Sequence, residues 1–81
     1  MIKPFKVGDL VYIPASALNC GEPLVTVIVG IDEQTVNLYD TGWIAVDFFY
    51  YHKIKYATQS QITLYASKKA LDISKLLGYI G

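Results

Sequence analysis

The sequence predicts an α+β fold, mainly β: a small five-stranded antiparallel sheet or partial barrel with a C-terminal α-helix packed on it. Three observations lead there. Residues 24–31 form a run that is β-branched almost throughout, which suits a pleated strand and disfavours a helix. Turn residues recur at short intervals on both sides of it, the spacing of a small sandwich or barrel. After residue 57 the apolar residues change period, from alternation to three- and four-residue steps.

The elements follow in order. Residues 9–13 read as a first strand, with Val11 and Ile13 on one face and Leu10 and Tyr12 on the other. Gly8-Asp9 supplies the bend before it, and Pro14 stops it. Residues 14–23 hold Pro14, Ser16, Asn19, Gly21 and Pro23 and read as a loop. Residues 24–31 are apolar on both faces, as expected of a central strand covered on both sides. A polar turn at 32–35 leads to a short strand at 36–39. Asp40-Thr41-Gly42 then fits a tight hairpin with glycine in the left-handed region. Residues 43–50 read as the fourth strand and 52–57 as a short fifth.

Thr58-Gln59-Ser60-Gln61 matches a capping box, with a hydroxyl at the N-cap and a glutamine three positions later. Ile62, Tyr65, Ala66, Ala70, Ile73, Leu76 and Leu77 then mark one face of a helix over 58–78, with Gly78 at its C-terminal cap. The alternative is a strand at 62–65 and a shorter helix from Ser67. The expected organisation is one domain over 1–81, with the sheet in 1–57 and the helix in 58–78.

The composition suits a globular chain. Of its 81 residues, 53% are hydrophobic, 14% aromatic and 17% charged. A chain this short buries only about 60–65% of its unfolded surface, so large rings matter to its core. No apolar stretch approaches the roughly twenty residues needed to cross a bilayer. The first residues are not those of a signal peptide, and one cysteine, Cys20, forms no internal disulfide. A cytoplasmic location is the simplest expectation. Net charge is zero and arginine is absent, which argues against nucleic acid as a partner, since basic residues supply most of that affinity.

The opening, Phe5-Lys6-Val7-Gly8-Asp9-Leu10-Val11-Tyr12-Ile13-Pro14, resembles the first strand of SH3-like small barrels, including KOW-type and Tudor-like modules. The hairpin around Asp40-Thr41-Gly42 and the exit Tyr56-Ala57-Thr58 are similar to short proteins encoded by bacteriophages and prophages. The resemblance implies an SH3-like sheet and a small accessory protein. The chain departs from the KOW-type nucleic-acid binders in its neutrality and its lack of arginine.

Few residues suggest chemistry. Cys20 and His52 are the lone thiol and imidazole, and nothing in their spacing makes a catalytic pair or a zinc site. The carboxylates Asp9, Asp32, Glu33, Asp40 and Asp47 are scattered and read as solvated. No glycine-rich phosphate loop precedes a helix. The expectation is a protein with no enzymatic activity, no cofactor and no metal. The informative cluster is Trp43, Phe48, Phe49, Tyr50, Tyr51 and His52. In a strand these side chains alternate, so Phe49 and Tyr51 share a face with Trp43. That face, with the larger aromatic area, is expected to be core and Phe48 and Tyr50 exposed. Phe48, Tyr50, Tyr51 and His52 are the candidate interaction patch, for a protein partner or a second copy in a homodimer. Lys53, Lys55, Lys68 and Lys69 are a candidate basic patch, or an ordinary solvated face. The leading functional expectation is a small protein-interaction module that acts as an inhibitor or adaptor on a host or phage complex. The alternative is a nucleic-acid-binding small barrel, with the rings as a stacking platform.

Overall fold

The computed structural model describes residues 5–18 and 21–80. Its organising element is β2 (Leu24–Ile31), whose β-branched residues make it the middle strand of a five-stranded sheet. The first half of β2 pairs antiparallel with β1 (Leu10–Ile13), setting Val11 opposite Thr26 and Ile13 opposite Leu24. Its second half pairs antiparallel with β3 (Thr35–Leu38), and the register shifts between Ile28 and Gly30. That irregularity is a bulge, which bends a strand and strengthens its twist. β3 continues through the Asp40-Thr41-Gly42 hairpin into β4 (Gly42–Ala45), with Gly42 at φ 78° as the turn requires. The short β5 (Lys55–Tyr56) returns to the far side of β1, giving the order β4-β3-β2-β1-β5. Sheet and helices together make an α+β domain.

Alternation along β1 and β2 divides the buried residues between two faces. Val11, Ile13 and Ile28 join Val36, Leu38, Phe49 and Ile54 in one apolar cluster. On the other face of β2, Val25 and Val27 are fully buried. There the C-terminal helices α2 (Gln59–Tyr65) and α3 (Lys68–Ile80) both pack against β2, and Ala70 is completely enclosed. The expectation of a central strand covered on both sides is therefore met. Thr26, the one buried polar residue described, is satisfied: its Oγ1 accepts from the backbone N–H of Asp40 at 3.3 Å.

Five expectations are corrected. The strand over 43–50 stops at Ala45, and residues Val46–Tyr51 form a short helix, α1. The ladder ends where the Val46 N–H donates to Gln34 O, and the chain then turns to drop Phe49 into the core. The strand over 52–57 is only Lys55–Tyr56. The helix over 58–78 is two helices, because Ala66 is extended at φ −78°, ψ 133° and forms a parallel bridge with Val25. The capping box is present: Thr58 Oγ1 accepts from the Gln61 N–H, and Gln61 Oε1 accepts from the Thr58 N–H. Ser67 caps α3, its Oγ accepting from the Ala70 N–H. Gly78 is not a cap, since α3 runs on to Ile80. Leu76, expected on the buried face, is 59% exposed.

Candidate interaction surface

α1 places the aromatic residues. Helical spacing turns Val46 and Phe49 inward and sets Phe48, Tyr51 and His52 together on the outer side, at three- and four-residue separations. The rings of Phe48 and His52 lie 4.2 Å apart, and those of Tyr51 and His52 lie 4.9 Å apart and edge-on. In a strand Phe48 and Tyr51 would point to opposite faces, so the helix is what gathers the cluster. Phe49 is fully buried, with the ring of Phe5 edge-on against it at 5.0 Å. Phe48 and Tyr50 are exposed as expected, but the strand argument for them fails: of the face assigned to the core only Phe49 is buried, while Tyr51 is 81% and Trp43 57% exposed. Tyr50 belongs to the other side of the helix, its ring edge against Phe49 at 5.7 Å.

The end of α1 carries the strongest backbone constraint. The Lys53 N–H donates to Tyr50 O and the Ile54 N–H to Phe49 O, with Ile54 buried against the core. This pair of bonds is the Schellman closure, whose reversing residue is ordinarily glycine. Here that residue is Lys53 at φ 55°, the one non-glycine residue described at positive φ. A side chain in that region costs about 1 kcal/mol or more. The closure directs Lys53 to the rim of a groove of about 520 Å³, lined by Pro14, Ser16, Tyr51, His52 and Lys53. Its other wall is the loop after β1, where a 3-10 turn over Ala15–Ala17 follows Pro14. Among the described residues the lining offers hydroxyl, imidazole and ammonium groups and no carboxylate.

The four lysines expected near one another fall in two pairs. Lys53 and Lys55 flank the start of β5, while Lys68 and Lys69 open α3. Lys55 pairs with Tyr12, Tyr12 with Val25, and Val25 with Ala66. Three strand spacings, roughly 14 Å, therefore separate the Lys55 and Ala66 backbones. Cys20 lies outside the described residues. Among the described residues no group of histidine, cysteine or carboxylate side chains is placed to hold a metal ion, and no helix is long and apolar enough to cross a membrane.

Asp9, read from the sequence as a solvated carboxylate, is a structural acceptor. Its Oδ2 accepts from the Lys6 N–H at 2.9 Å, closing the turn before β1. It also accepts from the Tyr56 hydroxyl, whose pKa is raised by desolvation first and then by the charge and hydrogen bond of Asp9. The Tyr56 ring packs on Phe5 at 4.6 Å, so this pair ties β5 to the chain segment before β1. The chain matches no protein-family model, no curated protein and no solved structure, and its function is read from this geometry alone.

Proposed function

We propose that the protein is a non-enzymatic protein-interaction module on an SH3-like barrel, which acts as an inhibitor or adaptor by holding an extended segment of another protein. The strand order β4-β3-β2-β1-β5, with a short helix between the fourth and fifth strands, supports the barrel reading. One observation carries the function: Phe48, Tyr51 and His52 pack on one another at the surface, beside the groove, rather than on the core. Exposed rings on a domain this small cost solubility, and contact with a partner is their ordinary use. Lys53 and His52 without a lining carboxylate favour a segment with acidic residues beside apolar ones.

Selection of a displayed peptide library on the immobilised protein tests this. Acidic, apolar-containing peptides are expected to enrich on the native chain and to lose binding to the Phe48→Ala/Tyr51→Ser double variant, whose melting temperature stays close to native. Enrichment indifferent to the double variant would overturn the site. Sub-micromolar binding of oligonucleotides at about 150 mM salt, lost in the same variant, would replace the reading by the nucleic-acid one.

A further inference from the structure

We propose that the outer edge of β4 is a second docking site, which takes an extended protein segment carrying lysine or arginine. Among the described residues β4 ends the sheet, with β3 as its one neighbour in the strand order. The Val46 N–H donates to Gln34 O, so the backbone groups of Val46, Ile44 and Gly42 face β3. Both backbone groups of Trp43 and the N–H of Ala45 consequently project from the free edge, while the Ala45 carbonyl, as the N-cap of α1, turns into the helix. This is the pattern to which a partner strand adds. Edge strands are commonly protected by a charge, a proline or a bulge. Gly42-Trp43-Ile44-Ala45 has no charge and no proline, and its register with β3 is unbroken.

Charge selects the occupant. Between residues 7 and 52 the chain carries Asp9, Glu22, Asp32, Glu33, Asp40 and Asp47 and no lysine or arginine. Asp40 stands in the hairpin at one end of β4. At the other end Glu33 and Asp47 line a recess of about 440 Å³ with Gln34, Ala45 and Val46. A second copy paired antiparallel about Ile44 would bring Asp40 of each copy toward Asp47 of the other, a like-charge arrangement that disfavours the dimer. A basic strand meets the same carboxylates with opposite charge. Trp43 adds a cation-binding face. Its indole lies across Gly30, with Cη2 3.2 Å from where a Cβ on that glycine would stand, and 57% of the residue is exposed.

The test uses a synthetic peptide of alternating lysine and valine and its glutamate counterpart, read by fluorescence of the single tryptophan, Trp43, and by amide exchange. The lysine peptide is expected to bind, to slow exchange at Trp43 and Ala45, and to weaken as salt rises; the glutamate peptide is expected not to bind. Ala45→Pro is the decisive variant. Ala45 already has φ −67°, and its N–H points away from β3, so proline fits the fold and removes the outward donor. Affinity should fall by about tenfold or more at an unchanged melting temperature. Glu33→Gln/Asp47→Asn should weaken binding without touching the strand, and Phe48→Ala should leave it intact. Equal binding of both peptides, binding indifferent to Ala45→Pro and to the carboxylate variant, or concentration-dependent dimerisation abolished by Ala45→Pro would each overturn the proposal.

Discussion

The Oγ of Ser74 donates to the carbonyl oxygen of Gly8 at 2.6 Å, which ties the middle of α3 to the turn that launches β1. Gly8 is at φ 98°, and a Cβ there would stand 3.0 Å from the Gly78 nitrogen and 3.3 Å from the Leu77 Cβ. Its N–H donates to Ile28 O at 2.7 Å, so the residue cannot shift without loosening the sheet. Gly8→Ala therefore meets both a left-handed backbone and a backbone neighbour. It is expected to cost about 2 kcal/mol or more, and Ser74→Ala about 0.5–1.5 kcal/mol. Denaturant titrations of the two variants measure this; a native midpoint for Gly8→Ala would mean that α3 does not sit on the turn.

Adjacent rings on α1 should separate stability from recognition. Phe49→Ala empties a fully buried site and is expected to cost about 3–5 kcal/mol. Phe48→Ala and Tyr51→Ala remove exposed rings and should each cost less than about 1 kcal/mol. A loss at Tyr51 as large as that at Phe49, with Phe48 alone tolerant, would return residues 46–51 to an alternating strand.

Lys53 offers the opposite sign. Lys53→Gly keeps the closure of α1 and removes the steric cost of a side chain at φ 55°. Stability should rise by about 0.5–1 kcal/mol, read as a higher melting temperature, while capture of acidic peptides in the groove weakens. A lower melting temperature would show that the lysine side chain itself stabilises the turn.

Tyr56 gives a pH dependence. Its hydroxyl holds its proton more tightly in the folded chain than in the unfolded one, through desolvation and then through Asp9. The associated stability is complete below the unfolded tyrosine value of about 10 and is lost as pH rises through the higher folded value. The native protein should therefore lose more stability than Tyr56→Phe as pH rises above about 10, with the two curves parallel below that value. Parallel curves throughout would remove Asp9 and its surroundings as the cause.

The parts legible in the sequence are those set by local pattern. The β-branched run of β2, the hairpin glycine Gly42 and the Thr58/Gln61 capping box each act through neighbours in the chain, and each is where it was expected. The misread parts are set by contacts distant in sequence. Val46–Tyr51 has the aromatic content of a strand, and its helical turn follows from the need to bury Phe49 against Phe5 and the core. Its end carried no glycine signal because Lys53 occupies the reversing position. The break between α2 and α3 comes from the bridge of Ala66 to Val25; its local mark is Ser67, the N-cap of the alternative, shorter helix. The ring cluster was half legible. Its residues were identified, but the grouping of Phe48 with Tyr51 and His52, and the exclusion of Tyr50, depend on the helix.

The two halves of β2 mature at different moments of synthesis. The half beyond the bulge pairs with β3, which follows it directly in the chain, so the β2-β3-β4 meander can assemble while later residues are still being made. The half before the bulge is complete only when β5 has returned to β1 and α3 has covered Val25 and Val27. A nascent chain on the ribosome therefore displays a bare valine face until α3 emerges, and its most aggregation-prone interval closes only when α3 docks on that face.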